Sequence, residues 1–301
     1  MTCAALTHIH IEYETFGDPT SPAILLIAGN GAQLLFWDRG FCEMLTASGF
    51  FVVRFDNRDC GLSTKFDDWS PSNIMSAIRL FSEGKAVTAP YTLDDMAEDV
   101  ADLLDALAIA KAHICGASMG GMIAQVFAYR HPERTLSLVS IMSNTGNPSA
   151  KPGKAEAIAA LVAPAPEERD AYIDHQMNIW RPISSPGYPM DENRARRYLA
   201  ESYDRAFCPA GMARQNLALL ATGDRRRALS TIHAPTLIVH GADDPLIPVE
   251  SGIETARIIP GAELNIIDGM AHELPPETWQ TLAREIIKNA LRTTSYEEKN
   301  V

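Results

Sequence analysis

The sequence predicts an α/β fold: a mostly parallel sheet with helices on both faces and a helical cap insert. Three observations predict it. Short apolar runs recur along the chain and end at Gly, Asp or Pro, as strands buried on both faces do. Segments with helical spacing lie between them, which yields βαβ units. One long stretch late in the chain then breaks the alternation, with helical patterns and no buried strand.

The elements follow in order. A first strand carries His8 and His10. Ala23-Ile24-Leu25-Leu26-Ile27 is continuously apolar and ends at Ala28-Gly29-Asn30-Gly31. Phe51-Val52-Val53-Arg54-Phe55 ends at Asp56. Leu93, Met96, Val100, Leu103, Leu104 and Leu107 repeat at helical spacing, with Thr92 placed to cap the start. Ala112 to Cys115 is the next strand and runs into Gly116. Met119 to Tyr129 is a helix halted near Pro132. Leu136–Ile141, Thr236–His240 and Glu263–Ile267 are further strands, and Glu277–Leu291 is a C-terminal helix. The polar residues Thr293 to Val301 read as frayed.

The interruption covers about residues 147–225, which leaves 1–146 and 226–301 as the core domain. The insert is rich in proline and holds ten Lys/Arg and ten Asp/Glu, so the acidic excess lies in the core. A chain of 301 residues is long enough for one large domain with such an insert.

The bulk chemistry narrows the function class. The formal net charge is -12, and only Arg225-Arg226-Arg227 forms a basic run, so a nucleic-acid binder is not expected. Five cysteines without a CxxC pair suggest neither a disulfide framework nor a zinc site. No stretch approaches the ~18 apolar residues of a membrane span. The expectation is a soluble, cytoplasmic protein with no membrane partner, metal or cofactor.

The strongest local signal is Gly116-Ala117-Ser118-Met119-Gly120, which fits G-x-S-x-G between a strand and a helix. The turn is tight enough that side chains two residues on either side of the serine would clash, hence the glycines. It pushes the Ser118 hydroxyl out over the sheet edge, with the helix N–H groups aimed at the site. A serine hydroxyl is a weak nucleophile and needs a base. Of eight histidines, only His272 combines a loop after a strand with a place late in the chain. The imidazole needs an acid to hold its tautomer. His240-Gly241-Ala242-Asp243-Asp244-Pro245 offers two, and Asp244 is chosen because the acid in such segments usually precedes the proline. Asp243 reads as a turn residue, and His113 and His240 as structural residues inside strands. An oxyanion needs two N–H donors. The candidates are the backbone N–H groups of Met119, after the serine, and Asn30, in the glycine loop after the first buried strand.

Together these residues resemble the α/β-hydrolase superfamily. Asp56-Asn57-Arg58-Asp59-Cys60-Gly61-Leu62-Ser63 is similar to that superfamily's D-x-R-G-x-G-x-S loop, although Ala28-Gly29 stands where many members carry His-Gly. More finely, Asn57–Ser63, Pro90–Met96, Gly116–Met122 and Gly269–Pro275 resemble the aclacinomycin methylesterase group and serine-dependent macrolide esterases. That resemblance implies hydrolysis of an ester or macrocyclic lactone in a bulky, polyketide-like molecule. Met177, Trp180, Tyr203 and Phe207 of the insert are the candidate substrate-binding residues, as aromatic and Met side chains make adaptable apolar walls. A serine at the elbow argues against dehalogenase and epoxide-hydrolase chemistry. Small-ester hydrolysis, enol-lactonase, carbon–carbon hydrolase, acyltransferase and perhydrolase activity stay open, as does a ligand receptor that has kept the fold.

Overall fold

The computed structural model describes residues 2–6, 8–70, 73–161 and 163–297. Eight strands form one sheet in the spatial order β1-β2-β4-β3-β5-β6-β7-β8. In chain order they are β1 (Thr2–Ala5), β2 (His10–Phe16), β3 (Ala23–Ile27), β4 (Phe51–Phe55), β5 (Ala112–Ala117), β6 (Thr135–Ile141), β7 (Thr236–Gly241) and β8 (Glu263–Ile267). β2 runs antiparallel to β1 and β4, and the pairs from β4 through β8 are parallel. An N-terminal hairpin thus replaces the single expected first strand. His10 opens β2, with Ala5 opposite it, and His8 lies outside both strands.

Alternate residues of each central strand face opposite layers, as the pleat requires. Leu25, Ile27, Val53, Ile114 and Leu138 join one core with α3 (Leu93–Ala106) and α4 (Met119–Arg130). Ile24, Leu26, Val52, Cys115 and Val139 join the other, against α1 (Arg39–Thr46) and α11 (Trp279–Glu297). α2 (Ile74–Ser82), α9 (Arg226–Leu229) and α10 (Val249–Ile258) complete the helices of this part. Thr92 caps α3 in a reciprocal box with Asp95, an arrangement that contributes about 1 kcal/mol to a helix start.

The apolar run of β8 suggests a strand buried on both faces, yet Leu264 and Ile266 are exposed, because β8 is the sheet's last strand and has less to cover it. The C-terminal helix was expected to stop near Leu291, but it runs to Glu297. No Gly or Pro interrupts that stretch, and polarity alone does not end a helix. Residues 298–301 of the expected frayed tail lie outside the described residues.

Between β6 and β7 the described chain is helical: α5 (Ala155–Leu161), α6 (Arg169–Trp180), α7 (Glu192–Arg205) and α8 (Pro209–Thr222) precede α9. This insert has its own small core of Ile173, Met177, Ala195 and Leu199, with Tyr172, Trp180 and Tyr198 packed against it. No helix among the described residues is long and apolar enough to cross a membrane.

Candidate active site

The site begins with the turn from β5 into α4. Ser118 sits at φ 55° and ψ -123°, a conformation uncommon for a residue with a side chain. Close packing enforces it. A Cβ on Gly116 would lie 2.0 Å from the Gly120 carbonyl oxygen, and one on Gly120 would lie 2.1 Å from the Ile27 carbonyl oxygen. Both positions therefore exclude any side chain. The Ser118 N–H donates to the Ile141 carbonyl at 2.9 Å, and the Ser118 carbonyl accepts the Ser143 hydroxyl. The serine is thus anchored on both sides of its Cα, to the end of β6 and to the segment just after it.

His272 lies in the loop after β8, where its Nε2 stands 3.0 Å from Ser118 Oγ and its Nδ1 2.7 Å from Asp244 Oδ2. Asp244 lies in the loop after β7 and is fully buried at its side chain. Its Oδ1 accepts the N–H groups of Leu246 and Ile247, both at 2.9 Å. Burial by itself would raise the Asp244 carboxyl. The His272 ring, contacts from both His240 and His272, and the Ile247 N–H outweigh that and hold it well below the usual carboxylate range. It is a fixed negative charge at neutral pH. Asp243 points elsewhere and accepts the Gly269 N–H at 3.1 Å.

These distances define a chemistry. With Nδ1–H donated to Asp244, His272 presents a lone pair to the serine hydroxyl within proton-transfer reach. The peptide N–H groups of Met119 and Asn30 meet no acceptor among the described residues. A Cβ built on Gly29, the residue before Asn30, would lie 3.3 Å from Ser118 Cβ, so the glycine loop runs against the serine. Two uncommitted donors beside a hydroxyl suit a developing oxyanion.

The sequence suggests only a structural place for His240, and the structure sets it against Asp244. Its Nε2 meets the Ile247 carbonyl at 2.8 Å, so that nitrogen carries the proton, and it stands 3.5 Å from Asp244 Oδ2. The sequence carries a signal for it: His240 lies near the end of β7, four residues before Asp244.

The insert grips the site at both of its loops. On the histidine side, the His272 N–H donates to the Ile183 carbonyl at 3.2 Å and the Ala271 N–H to the Ser185 hydroxyl at 2.9 Å. On the glycine-loop side, Asn30 Nδ2 donates to the Met212 carbonyl at 3.2 Å. The four insert residues expected to touch substrate are placed differently from one another. Met177 has no exposed surface and lies in the insert's own core, which puts it behind any pocket wall in this conformation. Trp180 packs on Tyr198 with ring centres 5.5 Å apart. Tyr203 and Phe207 pair at 4.9 Å, and the Tyr203 hydroxyl donates to the Glu167 carbonyl. Among the described residues, no group of three or more His, Cys, Asp or Glu is arranged to hold a metal ion.

Comparison with known proteins agrees with this architecture. The model of the alpha/beta hydrolase fold family matches residues 22–277. Rhodomycin D methylesterase DnrP of Streptomyces peucetius is 28% identical, covering 93% of this chain and 95% of its own. The 3-oxoadipate enol-lactonase 2 of Acinetobacter baylyi is 27% identical over 86% of this chain and 85% of its own. The solved 2-hydroxy-6-oxo-6-phenylhexa-2,4-dienoate hydrolase of a Rhodococcus species superimposes with a TM-score of 0.72 at 21% identity, covering 95% and 96% of the two chains.

Proposed function

We propose, for a chain that belongs to the α/β-hydrolase fold family and is a carboxylic ester hydrolase, a serine mechanism acting on a bulky, apolar ester or macrocyclic lactone. The observation that carries the mechanism is the continuous hydrogen-bonded line from Ser118 through His272 to Asp244. Ser118 Oγ attacks the ester carbonyl while His272 Nε2 takes its proton. Asp244 keeps Nδ1 protonated and stabilises the imidazolium. The Met119 and Asn30 N–H groups receive the oxyanion. Collapse expels the alcohol, which takes the proton from His272, and leaves Ser118 acylated. A water deprotonated by His272 then attacks the acyl group and frees the acid. With a lactone the alcohol stays tethered, and the product is a single hydroxy acid.

The bulky-substrate reading rests on the rhodomycin D methylesterase relatives and on residues 147–225 acting as a cap over the site. Half-buried aromatic side chains such as Trp180 and Phe207 can cover apolar substrate surface. Burying ~100 Å² more than a small ester would favour the larger substrate by up to ~2.5 kcal/mol, before ordering costs reduce it. Such a cap has as many acidic as basic residues and gives no general preference for anions.

Two experiments test the proposal. A fluorophosphonate probe should label Ser118, and Ser118→Ala should lower kcat by a factor on the order of 10⁴ or more. Labelling at another serine would end the mechanism. For the substrate, kcat/KM is compared for a macrolide lactone, an anthracycline methyl ester and nitrophenyl acetate, with Trp180→Ala and Tyr203→Ala alongside. If the acetate is best and neither substitution matters, the bulky-substrate reading is wrong.

A further inference from the structure

The proposed mechanism needs the Asn30 N–H to face the oxyanion, and the loop that carries it is braced both within itself and from the insert. The peptide plane that carries this N–H also carries the Gly29 carbonyl, which accepts the Ala32 N–H at 3.2 Å. The next plane carries the Gly31 N–H, and its partner comes from the insert: Gln215 Oε1 accepts it at 2.8 Å. The same amide donates Nε2–H to the Arg58 carbonyl at 2.7 Å. Gln215 is fully buried on α8, and both ends of its amide are therefore committed.

Both the residue before Gln215 and the residue it reaches on the core are themselves fixed. Arg214 grips Asp59 through Nε and Nη2 at 2.9 and 2.7 Å. Arg58 grips Asp99 in the same way at 2.6 and 2.7 Å. Gln215 is thus a short strut between a helix and a loop that cannot easily shift. Elsewhere the glycine loop is tied from the core, by Asn57 Nδ2 to the Ala28 carbonyl at 3.0 Å and by Asp56 Oδ1 to the Leu34 N–H at 2.7 Å, and from α8 by Asn30 Nδ2 to the Met212 carbonyl at 3.2 Å. Only the short dihedral pair of Asn30 separates the plane held by Gln215 from the plane that holds the donor.

We infer that Gln215 is a positioning residue for the oxyanion site, setting the Asn30 N–H through Gly31 and making catalysis depend on how α8 seats. The inference rests on the serine mechanism proposed above. It is distinct from substrate binding by the insert, since it acts on the transition state and not on the bound ester.

The test uses the full chain. Gln215→Met removes both hydrogen bonds at similar volume. It should lower kcat roughly 10-fold or more, short of the 10²–10³ lost when a donor is deleted outright, with KM held within about twofold. Affinity for a boronic acid, whose serine adduct mimics the tetrahedral intermediate, should fall in parallel with kcat/KM. Gln215→Glu gives a second readout. The protonated acid offers the same acceptor and donor as the amide, whereas the carboxylate faces the Arg58 carbonyl. Its activity relative to the parent should rise as pH is lowered from about 10 to about 6, a range that spans the ~8–9 reached by fully buried glutamates. The inference is overturned if Gln215→Met keeps the parent's kcat and boronate affinity. It is also overturned if the Gln215→Glu ratio is flat with pH, which decides the matter should Gln215→Met not fold. Ser118→Ala separates the two claims: activity surviving in that variant sinks the mechanism itself, whereas its loss beside normal Gln215 variants sinks only the strut.

Discussion

The turn at Ser118 and the helical insert both shape the site, but different physics holds each. The turn is local. Its conformation follows from two glycines four residues apart and from backbone hydrogen bonds to β6. The insert has a modest core of four buried side chains, and it meets the sheet through Ala218 and Leu219 of α8 in the main core and through polar contacts. Those contacts are not equivalent. Arg214–Asp59 and Arg205–Asp56 are buried at the junction, the latter with the arginine side chain 8% exposed and the aspartate 0%. Arg169–Asp204, Arg181–Glu192 and Arg196–Asp174 lie on the outer face and are exposed. The difference teaches that damage to the turn region should appear as lost chemistry in a stable protein. Damage to the junction should appear as lost stability first.

The largest effect is expected on the turn side of that comparison. Asp244→Asn should leave His272 in the wrong tautomer and lower kcat by roughly 10⁴. Asp243→Asn, which touches only the edge of the same loop, should stay near the parent. If Asp243→Asn is the crippled variant, the acid has been assigned one residue too late.

The junction comes next. Arg214→Ala leaves Asp59 buried beside the Tyr91 hydroxyl, which donates to it at 2.7 Å. Removing one partner of a buried pair costs about 3–5 kcal/mol, and urea unfolding should show it. Arg169→Ala removes an exposed pair and should leave the urea midpoint almost in place. Equal losses in the two variants would erase the distinction between junction and outer face.

The smallest effect sharpens the contrast by pH. His113 lies on β5, just upstream of the turn, with Nδ1 2.8 Å from the Ser137 hydroxyl. Burial pushes its pKa down to about 4 from 6.5. The folded ring stays neutral where the unfolded chain binds a proton. Its contribution is therefore intact above about pH 6.5 and lost as pH falls toward about 4, roughly 3 kcal/mol across that window. His113→Asn should flatten stability against pH there. A parent slope unchanged by the substitution would place the acid sensitivity elsewhere, with the insert's ion pairs as the next candidates.

Much of this was legible in the residues because it is written locally. Continuous apolar runs located the central strands to within a residue or two, and Thr92 marked the start of α3. The glycines around Ser118 announced a turn that only small residues permit. The choice of His272 and Asp244 followed from chain order and from their places in loops after strands, and the structure brings both within hydrogen-bonding distance of their expected partners. The N-terminal hairpin was missed because an edge hairpin needs no long apolar run, and β8 looked buried because five residues cannot reveal whether a neighbour covers them.

What the sequence determined by itself was whatever depends on neighbours in the chain: the strand–turn–helix at Ser118, the alternation that builds a parallel sheet, and the types of side chain available for acid–base work. What only the tertiary structure decided was which distant groups meet. Arg214 on Asp59, Met177 turned into the insert's core, and Gln215 on Gly31 across 184 positions of chain leave no local trace. The physical reason is that a buried polar group must find a partner somewhere. A sequence shows that the need exists, but only the packed chain chooses the partner.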